Sequence, residues 1–300
     1  MEFPTYKDYD IFSIPKSSGG FRCIEAPNPK LKEKQREHLK KVLYKTLPYS
    51  PFSHAYIKGR NVVTNALPHL GRRYILKMDI KDFFQSITWD MFYGKLYSIF
   101  ALPRSKRCLP EHEFQELAEG CKIHFMKDKN GVVRLPQGGP ASPCLSNFYL
   151  SLFDIAIGYY YCKNISTKWN HVHYTRYSDD IVLSSNLLEP LHKAKRKVRE
   201  VLARSYGLEI NTKKTRIIEN NRWQIVCGIL VNGPRLQLAP RYQNKVDEIL
   251  QKLEQGKELT NHERGLLAYY KMVENQDKYR AVTWYTYHQR VKLKNLLEGV

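Results

Sequence analysis

"HYTRYSDDIVLS", residues 173–184, sets two adjacent carboxylates, Asp179 and Asp180, between runs of β-branched and aromatic residues. The flanks read as two strands of a hairpin. Asp is disfavoured in strands, and neighbouring like charges repel. A hard divalent cation with oxygen ligands, above all Mg²⁺, would offset that repulsion. Taken alone, the pair fits a solvated hairpin tip equally well.

A third acid favours the cation. In "RRYILKMDIKDFFQSI" (72–87), Leu76 and Met78 flank Lys77 in a strand that breaks at Asp79. Asp79 thus ends an apolar strand, as a ligand from a buried sheet would. Two metal ions held by shared carboxylates can activate a sugar hydroxyl and stabilise a leaving pyrophosphate in an in-line displacement.

Outward from these acids the chain is mixed. Residues 10–27 read as a hairpin turning at Gly19-Gly20. Its arms carry Lys16 and Arg22, two cations able to meet a triphosphate, or simply an exposed basic turn. A helix follows Pro29, with an apolar stripe of Leu31, Leu39, Val42, Leu43 and Leu47. Residues 90–126 read as mainly helical, and "DKNG" (128–131) as the turn of a short hairpin. "LPQGGPASP" (135–143) is a loop leading into a helix, with Ser142 as N-cap and Pro143 as its first residue. Free amides at such a start bind phosphate, although a plain loop-to-helix cap also accounts for it.

Residues 189–206 form an amphipathic helix closed by Gly207, followed by a short strand, "LEIN". "NTKKT" (211–215) brings Lys213 and Lys214 to a strand end, where one could donate a proton to pyrophosphate or lie in solvent. "WQIVCGILVNGPRLQL" reads as a hairpin turning at Asn232-Gly233. Beyond a boundary at 238–240 the chain becomes helical and basic, with a capping box at Thr260 and Glu263. The fold class is α+β: antiparallel hairpins, then a helical tail.

Composition narrows the partner. Forty-nine Lys and Arg against 29 Asp and Glu give a net charge of +20, which calls for a polyanion, most simply nucleic acid. The 21 tyrosines and 12 phenylalanines interleaved with these bases suit stacking on non-duplex strands. No apolar run approaches the roughly 18 residues of a membrane span, and no secretory signal opens the chain, so a cytoplasmic protein is expected. Six scattered cysteines without CxxC fit reduced thiols. Cys108, His112, Cys121 and His124 lack the spacing of common zinc fingers, and core or surface use is expected of them. His171 and His173, ahead of the acidic turn, are expected to be structural.

The ordered set resembles the reverse transcriptases over residues from about 11 to 240: basic hairpin, Asp strand with Phe83-Phe84, PQG loop and helix, YxDD hairpin, NxxKT, glycine hairpin. The resemblance implies a right-hand polymerase fold, with fingers at 1–78, a catalytic palm at 79–238 containing inserted fingers helices, and a helical, RNA-binding thumb at 239–300. It implies Mg²⁺-dependent DNA synthesis on an RNA template. Asp79, Asp179 and Asp180 would hold two Mg²⁺ ions, with the Ile80 carbonyl as a further ligand, and Lys214 would assist as an acid. Lys16, Arg22, Asp82, Phe84, Gln137 and Gly138 would bind the nucleotide. Phe84 would exclude a 2′-hydroxyl, and Phe83 would pack in the core. Val226, Cys227 and Gly228 would grip the primer.

"NALPH" (65–69) resembles the NAxxH signature of retron reverse transcriptases, whose VTG signature stands here as Val226-Cys227-Gly228. The Tyr-Ser-Asp-Asp box likewise departs from the usual YADD by one small residue. The retron group implies a cognate structured noncoding RNA as template and primer, and a branched RNA–DNA product, msDNA, begun on a guanosine 2′-hydroxyl. It also implies anti-phage defence with an effector protein from the same locus. Asn65, His69, Arg241, Lys245 and Arg290 would contact that RNA, beside Lys252, Lys278, Arg280, Lys292 and Lys294, with Trp284, Tyr285 and Tyr287 available for stacking. Two alternatives stay open: another bacterial defence or group II intron-like reverse transcriptase, and a non-catalytic RNA-binding protein on a polymerase scaffold.

Overall fold

The computed structural model describes residues 2–16, 19–103, 105–163 and 172–280. A hairpin of β1 (Tyr9–Pro15) and β2 (Phe21–Pro27) comes first, turning through Gly19 and Gly20, both at positive φ. Helix α1 (Pro29–His38) continues through a π segment, Leu39–Leu43, into α2 (Tyr44–Thr46). Of the expected stripe, Leu39, Leu43 and Leu47 are buried in the core with Val42 packed against them, on a helix that changes pitch midway, while Leu31 is only half-buried and Leu47 lies just past the helix end. A short α3 (Val62–Ala66) precedes β3 (Tyr74–Asp79). The fingers boundary expected at 78/79 thus falls inside a strand, because the run that ends in Asp79 pairs along its whole length.

Next come α4 (Trp89–Phe100), α5 (Glu111–Cys121), the small hairpin β4 (Met126–Lys127) and β5 (Val133–Arg134), and helices α6 (Ser142–Tyr149) and α7 (Ser151–Lys163). Ser142 proves to be the first helical residue rather than the N-cap, which is Ala141. Its hydroxyl instead donates to the Pro136 carbonyl at 2.7 Å, closing the PQG loop on itself.

The central sheet holds β6 (His173–Tyr177), β7 (Asp180–Ser185) and β8 (Arg216–Glu219), in the order β6-β7-β3-β8, antiparallel throughout. Helix α8 (Leu188–Tyr206), ended by Gly207 at φ +56°, packs on β7 and β3. "LEIN" forms no strand. A single bridge joins Ile210 to Ile80, since the amides of Lys81 and Asn211 pair there only with Glu209 and Asp79 before the chain turns.

Alternation divides the sheet's faces. Leu76, Met78, Ile181 and Leu183 enter the main core with α4 and α6–α8. Ile75 and Val182 face a second cluster with α3 and the last sheet. That sheet has one more strand than expected: β9 (Ile225–Val226), β10 (Ile229–Leu230) and β11 (Gln237–Leu238). The extra reversal is at Cys227-Gly228, where φ is +48° and +83°, the sign pattern of a type I′ turn. Asn232 pins the other bend, accepting from the Gln224 amide at 2.7 Å.

The helical tail comprises α9 (Pro240–Glu254) and α10 (Asn261–Glu274), the latter with the Thr260–Glu263 capping box in place. Val246 and Val273 bring both helices to the second cluster. No helix among the described residues is long and apolar enough to cross a membrane.

Candidate active site

Strand register assembles the acids. Asp79 ends β3 directly opposite Asp180, the first residue of β7. Asp179 sits in the two-residue β6–β7 turn after Ser178, whose φ is +60°. The turn is sewn to β3 by the Ile80 amide, which donates to the Asp179 carbonyl at 3.1 Å. Like charges facing each other across a ladder are unfavourable, and burial worsens this. Burial is the main cause raising the Asp179 carboxyl above the usual range. Asp180 is pushed up to about 6, first by burial and then by Asp179, against a downward pull from Lys77.

The expected Lys214 also arrives. Its amine donates to both Asp79 oxygens, at 3.0 and 2.9 Å, and this contact raises its own pKa. Among the described residues no three His, Cys, Asp or Glu side chains form a ready-made metal centre. The donor chemistry nevertheless suits Mg²⁺: hard carboxylate oxygens, with excess negative charge that burial makes costly.

A cleft of about 590 Å³ opens over Asp79, Asp179 and Lys214, with Asp180 outside its lining. Lys16, Arg22, Asp79, Asp82, Phe84, Gln137, Asp179 and Lys214 all line it. Asp82 adopts φ +45° at the start of the turn after β3, which buries Phe83 in the core and leaves Phe84 half-buried at the cleft. Gln137 is locked to the hairpin: the Glu25 amide donates to its carbonyl at 2.8 Å, and its own amide donates to Glu25 Oε2 at 3.1 Å. Arg134 holds the buried Glu25 carboxylate at 2.6 Å. Gly138 does not line the cleft. At φ +141°, a Cβ there would lie 2.7 Å from the Glu25 carbonyl oxygen, so glycine permits the close approach of loop and hairpin.

The two retron-like signatures meet each other. Asn65 Nδ2 lies 3.4 Å from Cys227 Sγ, and Tyr269 donates to the Cys227 carbonyl at 3.0 Å. Gly228 leaves room for Tyr242 and Tyr269. The expectation that Asn65 and His69 contact RNA is corrected: both are fully buried. His69 spans the β6–β7 hairpin, with Nδ1 2.7 Å from Ser184 Oγ and Nε2 2.8 Å from Thr175 Oγ1.

Arg241 and Lys245 are exposed on α9, with Arg241 stacked over Tyr242. Lys252 pairs with Glu263, and Arg280 with Asp277. Arg290, Lys292, Lys294, Trp284, Tyr285 and Tyr287 lie outside the described residues, as does His171. His173 is half-buried on β6. Cys108 is exposed while Cys121 is buried. His124 meets not these thiols but His38, at 2.9 Å, and burial lowers its pKa to about 3.

Tyr56, Arg176 and Asp154 escape sequence reasoning, and Asn211 enters it only as the first residue of NTKKT. Tyr56 and Asn211 line the cleft, Tyr56 at φ +60° with its hydroxyl donating to Ser178 Oγ. Arg176 and Asp154 form a fully buried ion pair behind the acidic turn. Nothing local marks Tyr56 or Asp154, whereas a charge within the strand run "HYTRY" is a signal at Arg176.

Comparison with known proteins agrees with this geometry. Residues 14–261 match the family described as reverse transcriptase (RNA-dependent DNA polymerase). The chain is 33% identical over 285 residues to the retron Mx65 reverse transcriptase of Myxococcus xanthus, covering 91% of this chain and 63% of that one. It is 31% identical over 267 residues to the retron Ec83 reverse transcriptase of Escherichia coli, covering 87% and 81%. Among solved structures, telomerase from Candida albicans, in complex with a TWJ fragment of telomeric RNA, superposes with a TM-score of 0.52 at 13% identity, over 95% of this chain and 57% of that one. That likeness is one of fold, the right-hand polymerase arrangement. On its motifs, its cleft and these relatives, the chain belongs to the reverse transcriptases, the RNA-dependent DNA polymerases, and among them to those of retrons.

Proposed function

We propose that the chain extends DNA on a cognate structured noncoding RNA, which serves as template and primer, to give a branched RNA–DNA product. The observation that carries this reading is the cleft in which Asp79, Asp179, Lys214, the cations Lys16 and Arg22, and Phe84 stand together. Asp79, Asp179 and Asp180 would hold two Mg²⁺ ions, with the Ile80 carbonyl as a further ligand. When bound, such ions supply the positive charge that lowers a hydroxyl's pKa and neutralises pyrophosphate.

The chain's own residues do the rest. Lys16 and Arg22 take the triphosphate as point charge and planar fork respectively. Asp82 turns the backbone that seats it, and Phe84 crowds the position of a ribose 2′-hydroxyl. Gln137 orients the nucleotide from a loop that Glu25 keeps against the hairpin. Lys214 protonates the departing pyrophosphate as general acid. Cys227 and Gly228 steady the primer end, with Val226 fully buried in the core beneath them rather than at the primer, and Arg241, Lys245 and Arg290 hold RNA phosphates. Residues up to 78, apart from the strand begun at Tyr74, act as fingers, residues to 238 as palm and 239–300 as thumb.

A cytoplasmic setting suits Cys23, Cys108, Cys121, Cys144 and Cys227, all free thiols. Anti-phage defence with a co-encoded effector protein completes the proposal, and the likeness to retron enzymes is what supports it. The test is purification after expression with the native flanking locus, followed by nuclease digestion of bound nucleic acid. A DNA of fixed length joined to RNA through a 2′–5′ linkage is expected. Bound RNA without DNA would favour a non-catalytic RNA-binding protein. Linear DNA without the branch would favour another class of bacterial reverse transcriptase.

A further inference from the structure

The acidic turn rests on a buried ion pair that the chemistry above does not use. Among the described residues, Arg176 heads the fully buried side chains by volume. Its guanidinium grips Asp154 of α7 with two prongs, Nε to Oδ1 at 2.8 Å and Nη2 to Oδ2 at 2.7 Å. The remaining Nη1 donates to the Ser178 carbonyl at 2.8 Å and to Asn147 Oδ1 at 3.1 Å. Ser178 is the positive-φ residue of the turn, immediately before Asp179.

Stability does not explain this arrangement. A buried ion pair can often be replaced by apolar residues of similar volume at no loss. What the guanidinium supplies and an apolar side chain cannot is directed hydrogen bonding to one carbonyl. Its surroundings hold it rigidly. Tyr174 donates to Asp154 at 2.6 Å. The Arg176 amide donates to the Phe52 carbonyl at 2.9 Å, and the His54 amide to the Arg176 carbonyl at 2.8 Å. Asn147, on the helix that follows the PQG loop, accepts from Ser53 at 2.9 Å and donates to the Ala55 carbonyl at 2.8 Å. The next residue, Tyr56, lines the cleft. Two helices and the 52–55 segment therefore converge on the carbonyl of Ser178.

We infer that Arg176 is a positioning residue. It holds Ser178 in its left-handed conformation, so that Asp179, which lines the cleft, and Asp180 after it are fixed in place before any cation arrives. Asp154 orients the guanidinium, and Asn147 ties the turn to the helix behind the loop that carries Gln137. The inference rests on the reading of Asp179 and Asp180 as metal ligands.

The test uses the full chain with its co-purified RNA. Arg176→Lys keeps the charge and loses the fork. Binding of Mn²⁺ alone, followed by the EPR signal of the free ion, is measured beside single-turnover deoxynucleotide incorporation and the folded fraction. Half-saturation by Mn²⁺ should rise about tenfold, as for residues that orient metal ligands. The incorporation rate should fall about 10²-fold, as for a misplacement of about 1 Å. Unchanged Mn²⁺ binding, with a rate loss matched by the loss of folded protein, overturns the inference. Should Arg176→Lys not fold, Asn147→Ala leaves the ion pair intact and should weaken Mn²⁺ binding about threefold, below the usual range for such partners. Unchanged binding there overturns it too. The double variant Asp179→Asn, Asp180→Asn separates the two readings. If that variant still binds Mn²⁺ and makes DNA, the ligand assignment fails. If it loses both while Arg176→Lys matches the wild type, only the positioning role fails.

Discussion

Asp180, if it holds a metal ion as proposed, carries the clearest conflict between stability and function at the level of single residues. Its folded pKa, about 6, lies above the ordinary carboxylate value of 3.8. The folded state therefore binds the proton more tightly than the unfolded chain. Between those values stability falls as pH rises, by up to about 1.4 kcal/mol per pH unit. Stability from the protonated group is full below about pH 4 and lost by about pH 6–7. Asp180→Asn should accordingly raise the cation-free melting temperature at pH 7, by on the order of 1–3 kcal/mol of stability, while abolishing DNA synthesis. A melting temperature at or below that of the wild type would count against the electrostatic account. Phe84 makes the second prediction at this scale. It stands half-buried at the cleft while Phe83 fills the core. Phe84→Ala should cut discrimination against ribonucleotides by about tenfold or more, since the exclusion is steric. Competing deoxy- and ribonucleotide incorporation measures it, and unchanged selectivity would remove Phe84 from this role.

At the scale of elements, the β1–β2 hairpin is a projecting two-stranded ribbon, a form that is marginal by itself. The buried Glu25 joins it to the PQG loop, and Arg134, at 15% exposure, pairs with that carboxylate. Arg134→Met leaves Glu25 buried without its partner, which typically costs about 3–5 kcal/mol. The hairpin and loop carry Lys16, Arg22 and Gln137, so the KM for deoxynucleotides should rise more than kcat falls. Steady-state kinetics on pre-bound template separates the two effects, and a change in kcat alone would refute the coupling. Much at this scale was legible in the sequence. Gly19-Gly20, Gly207 and the Thr260–Glu263 box mark their turns and caps because backbone conformation there depends on one or two residues. The reversal at Cys227-Gly228 was not, because Cys rarely adopts positive φ and gives no turn signal. Nor was the loss of the "LEIN" strand, which depends on how many partners β3 offers it.

Across the whole molecule, the charge of +20 surrounds a small acidic island. The excess suits phosphate backbones, and the island suits the cations of the chemistry. If RNA is held mainly by phosphate contacts, its affinity should fall about 10³-fold or more between 50 and 200 mM salt. Filter binding across that range measures the slope, and a flat response would assign affinity to stacking and hydrogen bonds instead. The sequence by itself determined the mixed α+β class, the order of motifs and a charge excess that suits a polyanion. These are local matters of residue type, period and spacing, together with summed charge. Only the tertiary structure decided which distant groups meet: Lys214 on Asp79, Gln137 on Glu25, Asn65 on Cys227, Arg176 on Asp154. It also moved Asn65 and His69 from the RNA to the interior. Such pairings arise from packing around two cores that share one sheet. A buried polar group takes whatever partner that packing brings within about 3 Å, and sequence separation does not encode it.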